Sequence, residues 1–150
     1  QEGIIEAYKF SVECFINHSK EDLQIVLNKF LTKELYREYL IIVIQKILQD
    51  QGTILVLSAS WIFFVEQVIQ SLNQLFHVNI TQYYGSTIKH NLSFQQKQFF
   101  LEKKNIKPYM VFGDSENDFF MMRLSEYGIF VRDHHEKYSN DRQKILSIIS

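Results

Sequence analysis

Apolar residues in the first third of the chain recur at intervals close to 3.6 residues, the period of an amphipathic helix. The segment 17–19 interrupts this pattern, and Ser19 is predicted to be the N-cap of the helix that follows, with Asp22 as a loose capping signal. Gln51 and Gly52 are predicted to end the helical third. The apolar residues that carry the pattern are Phe10, Cys14, Ile16, Leu23, Val26, Leu27, Phe30, Leu31, Leu35, Tyr39, Ile42, Val43 and Ile47.

From Thr53 onward, short apolar runs alternate with segments of helical spacing. Short runs rich in β-branched residues and bounded by turn residues predict buried strands. Strands that alternate with helices predict a parallel sheet with helices on both faces, in which ligands bind at the carboxyl ends of the strands. The predicted strands are residues 53–58, 78–84, 109–112 and 128–131, and the predicted helices are residues 61–76, 94–104, 116–125 and 141–149.

Length, charge and cysteine content narrow the classes of protein to consider. The 150 residues fit one domain, and a net charge of -1 gives no reason to expect nucleic acid or an anionic membrane as a partner. The most apolar run, residues 39–48, is too short to span a bilayer. Cys14 is the single cysteine, so no intrachain disulfide can form, and this favours a reducing, cytoplasmic compartment. Its side chain is expected to lie in the core. His134 and His135 are expected to be loop residues.

Two aspartates and an asparagine amide follow the third predicted strand in one tight turn. Gly113 permits the turn, and Asp114 projects from the strand end, where Mg²⁺ finds the carboxylate oxygen that it prefers. Asn117 and Asp118 could hold that ligand in place. Helix capping by Ser115 and the neighbouring carboxylates explains two or three of these residues, but not the whole sequence Gly-Asp-Ser-Glu-Asn-Asp after a strand.

Two further positions could bind an anion. Ser58 ends a predicted strand and is followed by Ala59, Ser60 and a helix, so a hydroxyl and free backbone N–H groups would meet there. The same residues could equally form an ordinary helix N-cap. Lys97 lies on the helix before the acidic turn, although a helical lysine taken alone is usually a solvated surface residue and three other nearby lysines are rivals.

Together these elements resemble the haloacid dehalogenase superfamily, and within it the group that includes phosphoserine phosphatases. LVLSAS followed by WIFFVE looks like the second family motif, Lys97 like the third, and GDSENDFFMM like the fourth. The resemblance covers about residues 35–132, and GDSEND is its most specific part. It implies a Rossmann-like parallel sheet with flanking helices over residues 51–150, preceded by a partial helical cap over residues 1–50 that closes over the substrate.

The resemblance also implies an activity, Mg²⁺-dependent hydrolysis of the phosphate ester of a small metabolite through an aspartyl-phosphate. Asp114 would ligate Mg²⁺, and Ser58 with the backbone of Ala59 would bind the transferring phosphoryl group. Lys97 would neutralise the phosphate, and Asp118 would support both Asp114 and Lys97. This is covalent catalysis aided by a metal and by fixed charge.

One element of the family pattern has no counterpart in these residues. The first motif, an Asp-x-Asp after an apolar strand, does not occur before Ser58, and Asp22 and Asp50 are single aspartates in helical or turn context. Because the chain begins at Gln1 without a methionine, we expect a fragment that lacks the nucleophile and the first strand of the sheet. The alternative is a catalytically inactive binding or interaction module that keeps the phosphate pocket.

Overall fold

A computed structural model describes residues 18–131. The expectations for Cys14, His134, His135 and the helix at residues 141–149 lie outside the described residues. None of the helices within the described range is long and apolar enough to cross a membrane. The α-helices are α1 (Lys20–Asn28), α2 (Glu38–Gln49), α3 (Ile62–Phe76), α4 (Gln95–Lys103) and α5 (Phe119–Met122); the strands are β1 (Leu55–Trp61), β2 (Gln82–Ser86), β3 (Met110–Gly113) and β4 (Tyr127–Phe130); single 3-10 turns span Lys33–Leu35 and Glu116–Asp118.

The described residues divide into two compact units, each built from two separate segments of the chain. One, which we call the helical unit, contains residues 18–56 and 63–84. The other, which we call the turn unit, contains residues 57–62 and 85–131. The division into a cap over residues 1–50 and a core over residues 51–150 stays a prediction.

The N-terminus of α1 confirms the predicted cap. The Ser19 hydroxyl accepts a hydrogen bond from the Asp22 N–H at 3.1 Å and donates one to the Asp22 carboxylate at 2.7 Å. The helix itself contributes no buried residue, and the large side chains of Ile25 and Val26 stay more than half exposed. The Ser19 cap and the partial burial of Leu23 and Leu27, which lie on one face, therefore both contribute to this short helix.

The buried residues of the helical unit include Val43 on α2 and Ile69 on α3, which are almost fully excluded from solvent. The segment before α2 is fixed to α3 by Tyr36, whose hydroxyl donates to the Val68 carbonyl at 3.1 Å. The Tyr36 ring also meets the Phe76 ring edge to face, with 5.5 Å between centroids. Because its surroundings desolvate the phenolate, burial raises the pKa of Tyr36 above its usual value, although a hydrogen bond with Ser71 acts in the opposite direction.

The end of α2 also confirms the sequence analysis, with an unexpected division of roles. The Gly52 N–H donates to the Ile47 carbonyl at 2.8 Å and the Gln51 N–H donates to the Leu48 carbonyl at 3.1 Å, which is a Schellman ending. The left-handed position is taken by Gln51, with a φ of 61°. Gly52 is needed for a different reason, because a Cβ there would lie 2.6 Å from the Ile47 side chain.

The strands form two hydrogen-bonded pairs, β1 with β2 and β3 with β4. The second pair is parallel, with Met110 opposite Tyr127 and Gly113 opposite Phe130. The described part of the chain is thus a mixed α/β structure in which helices and short strands alternate, as the sequence pattern predicts. Helices α3 and α4 and strands β3 and β4 begin and end within two residues of their predicted bounds.

The second strand is displaced from its predicted position. The sequence pattern places it at residues 78–84, whereas β2 spans Gln82–Ser86. The cause is Asn73 on α3, whose amide accepts from the Ile80 N–H at 2.9 Å and donates to the Ile80 carbonyl at 3.0 Å. Because both backbone groups of Ile80 are bonded to this side chain, they are withdrawn from any strand ladder.

Replacing Gln51 by glycine is expected to stabilise the protein by about 0.5 to 1 kcal/mol, since an L-residue is strained at a positive φ and glycine is not. The same replacement at Gln49, the last residue of α2, is expected to destabilise it, because glycine disfavours the helix there. Urea unfolding of both variants measures the two effects. Equal changes in the free energy of unfolding would contradict the described end of α2.

Candidate functional site

The acidic turn after β3 closes onto a lysine of α4. We call Lys97, Asp114, Ser115 and Asp118 the acid–lysine cluster; all four belong to the turn unit. One oxygen of the Asp118 carboxylate, Oδ1, lies 2.5 Å from the Lys97 ammonium nitrogen. The other, Oδ2, accepts from the Asp114 N–H at 3.1 Å and from the Ser115 N–H at 3.4 Å. Asp118 therefore joins the lysine to the backbone of the turn.

This ion pair is buried, with Lys97 4% exposed and Asp118 5% exposed. The interpretation of Lys97 as a solvated surface residue is therefore wrong, whereas Lys103 on the same helix is exposed. Taking two charges out of water is costly, and such a pair persists only when its partners are also hydrogen-bonded. Removing one partner typically costs about 3–5 kcal/mol, because the other charge remains buried without compensation.

The helix predicted over residues 116–125 is shorter in the structure. A 3-10 turn over Glu116–Asp118 precedes α5, which contains only Phe119–Met122. The Asp118 carboxylate accepts from the N–H of Ser115, the residue just before the 3-10 turn, so the capping interpretation holds for these two residues. The same carboxylate also pairs with Lys97, and capping alone does not account for that contact.

Gly113 allows the turn to close by close approach rather than by an unusual backbone angle. A Cβ at this position would lie 2.4 Å from the Asp118 Cβ and 2.9 Å from its Oδ2. Real atoms do not approach so closely, so any larger residue would push Asp118 away from Lys97 or distort β3. The Gly113 carbonyl is in turn fixed by the Val131 N–H at 2.7 Å, which ties the end of β3 to the end of β4.

Asp114 is the exposed member of the cluster. Its N–H is fixed by Asp118, so its position at the carboxyl end of β3 is set by the turn. Within residues 18–131, no three His, Cys, Asp or Glu side chains come together as a ready metal site. Asp114 therefore offers one carboxylate, which is compatible with Mg²⁺ because that ion is commonly held by one or two carboxylates together with substrate phosphates.

The structure places Ser58, Ala59 and Ser60 differently from the sequence analysis. The predicted strand end at Ser58 is wrong, since β1 continues through Trp61 and α3 begins at Ile62. The hydroxyl of Ser58 accepts from the Ser60 N–H at 3.1 Å, inside the strand, so Ser58 does not cap α3.

These three residues belong to the turn unit along with the acid–lysine cluster. Among the contacts described for residues 18–131, no side-chain hydrogen bond joins Ser58 or Ser60 to Lys97, Asp114 or Asp118. The roles assigned to Ser58, Ala59 and Ser60 as phosphate ligands stay predictions.

Sequence reasoning missed the turn that begins α4. Phe94 has a φ of 48° and a ψ of -123°, a region that residues other than glycine rarely occupy. Its N–H donates to the Asn117 side-chain oxygen at 3.0 Å. The preceding loop is also held by side chains, because Ser86 accepts from the Leu92 N–H and Asn91 accepts from the Ser93 N–H. The signal available in the sequence was the run of short polar residues, which favour such local bonds.

The comparisons with known proteins give no family assignment. No protein-family model matches the chain, and no curated protein or solved structure matches it significantly.

Replacing Gly113 by alanine is expected to destabilise the protein by roughly 1–3 kcal/mol, because the new methyl group overlaps Asp118. The control is the same replacement at Gly128 in β4, where the nearest atom would be 3.1 Å away, so a smaller loss is expected. Thermal and urea unfolding of both variants measure the difference. A Gly113 variant as stable as the Gly128 variant would contradict the close contact between Gly113 and Asp118.

Proposed function

We propose that the chain is part of a Mg²⁺-dependent phosphomonoester hydrolase of the haloacid dehalogenase type, acting on a small phosphorylated metabolite. The observation that carries the proposal is a buried lysine held at an acidic turn, at the carboxyl end of a parallel strand. Lys97 is 4% exposed, and one of the three N–H groups of the Lys97 ammonium donates a hydrogen bond to Asp118. Phosphate oxygens are suitable acceptors for the others.

Fixed charge at this position favours phosphoryl chemistry over simple structural support. A lysine that is already desolvated and oriented by Asp118 loses little further freedom when an anion arrives. In a water-poor site its charge stabilises the developing negative charge of a transferring phosphoryl group more strongly than it would in water. Lys97 is thus proposed to bind and neutralise the phosphoryl group, and Asp118 to orient Lys97.

Asp114 is the proposed ligand of Mg²⁺. Its carboxylate is exposed, while its backbone is fixed by the bond from its N–H to Asp118. Asp114 would be the residue that holds Mg²⁺, and the bound ion would supply charge neutralisation for the phosphate. Further contacts with the phosphoryl group are proposed for Ser58, Ala59 and Ser60. The observed pair of β3 and β4 is proposed to be part of a complete Rossmann-like sheet.

Asp114→Asn is the most direct test, because it removes a charge without removing a described side-chain contact. The assay is Mg²⁺-dependent release of phosphate from an aryl phosphate by the whole protein of which this chain is proposed to be a part. We expect the rate to fall by about a hundredfold, since the metal contributes several kcal/mol to phosphoryl transfer. The matched control is Glu116→Gln, an exposed carboxylate in the same turn that is expected to leave turnover unchanged.

Binding of inorganic phosphate provides a second arm of the same test. Lys97→Met should abolish it, and Lys103→Met, the same change at an exposed position of α4, should not. Turnover that is indifferent to Asp114 would contradict the hydrolase. Phosphate binding that needs Lys97 without any turnover would indicate the binding module instead.

A further inference from the structure

The backbone at the start of α4 is held in a strained conformation at Phe94, three residues before the lysine of the acid–lysine cluster. Phe94 combines a φ of 48° with a ψ of -123°, which crowds any side chain that carries a Cβ. Such conformations persist only where the surroundings determine them, and they are concentrated at functional sites. The contacts of Phe94 therefore indicate which part of the site this turn serves.

Two contacts hold Phe94 in this conformation. Phe94 is 5% exposed, so its side chain is buried. The N–H donates to the Asn117 side-chain oxygen at 3.0 Å, across a sequence separation of 23 residues. Asn117 is therefore the polar group that joins the acidic turn to the backbone at the start of α4.

Phe94 is joined to Lys97 by a backbone hydrogen bond. The Phe94 carbonyl accepts from the Lys97 N–H at 3.2 Å, which sets the first turn of α4 and the direction in which the lysine leaves it. The ammonium at the far end of that side chain is held by Asp118. Asn117 thus bonds to the backbone three residues before Lys97, and the next residue, Asp118, bonds to the Lys97 ammonium.

We infer that Asn117 is a positioning residue for Lys97, acting through the strained Phe94 backbone, and that it sets where the ammonium meets a bound phosphoryl group. The role of the ammonium rests on the proposed function, whereas the geometric coupling does not. Loss of Asn117 removes the acceptor for the Phe94 N–H, and the strained turn then relaxes toward ordinary helical angles. The direction of the Lys97 side chain changes with the turn, and small errors in the position of a catalytic group weaken its contribution to the rate.

The test is the ¹H–¹⁵N spectrum of the lysine ammonium groups in the full chain, with and without inorganic phosphate. A buried, ion-paired ammonium exchanges its protons slowly enough to be seen, and loss of the signal in Lys97→Arg assigns it. In Asn117→Ala we expect the Lys97 signal to move and its protons to exchange at least about fivefold faster, the factor that corresponds to one hydrogen bond. Asn117→Asp, which keeps an acceptor oxygen, should retain the slow exchange.

The matched control is Asn73→Ala in the helical unit. It removes the same kind of bond, from an asparagine side chain to a backbone N–H, but at Ile80. It should lower stability while leaving the Lys97 signal unchanged, so a general loss of stability is separated from positioning. If Asn117→Ala does not fold, Asn117→Ser, whose shorter side chain no longer reaches Phe94, takes its place.

The outcomes separate this inference from the proposed function. An unchanged Lys97 signal in the Asn117 variants, or an equal change in Asn73→Ala, overturns the positioning role. A Lys97 signal that depends on Asn117 but does not respond to phosphate in the unaltered protein supports the positioning role and contradicts the phosphate site. A signal that shifts with phosphate, with affinity at least about fivefold weaker in Asn117→Ala, supports both.

Discussion

The ion pair between Lys97 and Asp118 is the interaction on which the turn unit depends. Because both side chains are nearly excluded from water, each is tolerable only in the presence of the other. The pair requires Asp118 to lie directly over the end of β3, and that position in turn requires a residue without a Cβ at position 113. The segment after the turn is a 3-10 turn and one turn of α-helix, where the sequence alone favours a longer helix.

The same pair determines what the site can do. It keeps one carboxylate, Asp118, as a structural partner of the lysine and leaves the other, Asp114, exposed at the end of the strand. The two acidic residues therefore have different roles although both belong to the same short motif. The Mg²⁺–phosphate complex that we propose for this site needs both a fixed positive charge and an accessible carboxylate, and Lys97 and Asp114 are the residues proposed to supply them.

Much of the local structure could be predicted from the sequence, because it depends on neighbouring residues. The Ser19 cap, the Schellman ending at Gln51 and the strand before Gly113 all follow from signals within a few positions. The GDSEND motif likewise located Asp114 and Asp118. Long-range bonds could not be predicted, and they caused the main differences: Asn73 displaced β2, and Asn117 holds Phe94 from 23 residues away. The continuation of β1 past Ser58 was equally invisible, since Ala59 and Ser60 carry no strong strand signal.

Whether metal and phosphate bind at the end of β3 can be tested through the broadening of backbone amide signals by Mn²⁺, a paramagnetic substitute for Mg²⁺, in the presence of inorganic phosphate. If they bind there, broadening centres on the amides of Asp114 and Ser115, extends to the Lys97 ammonium signal, and disappears in Asp114→Asn. Broadening that centres elsewhere among residues 18–131, or that is the same in Asp114→Asn, would contradict a metal and phosphate site at the end of β3.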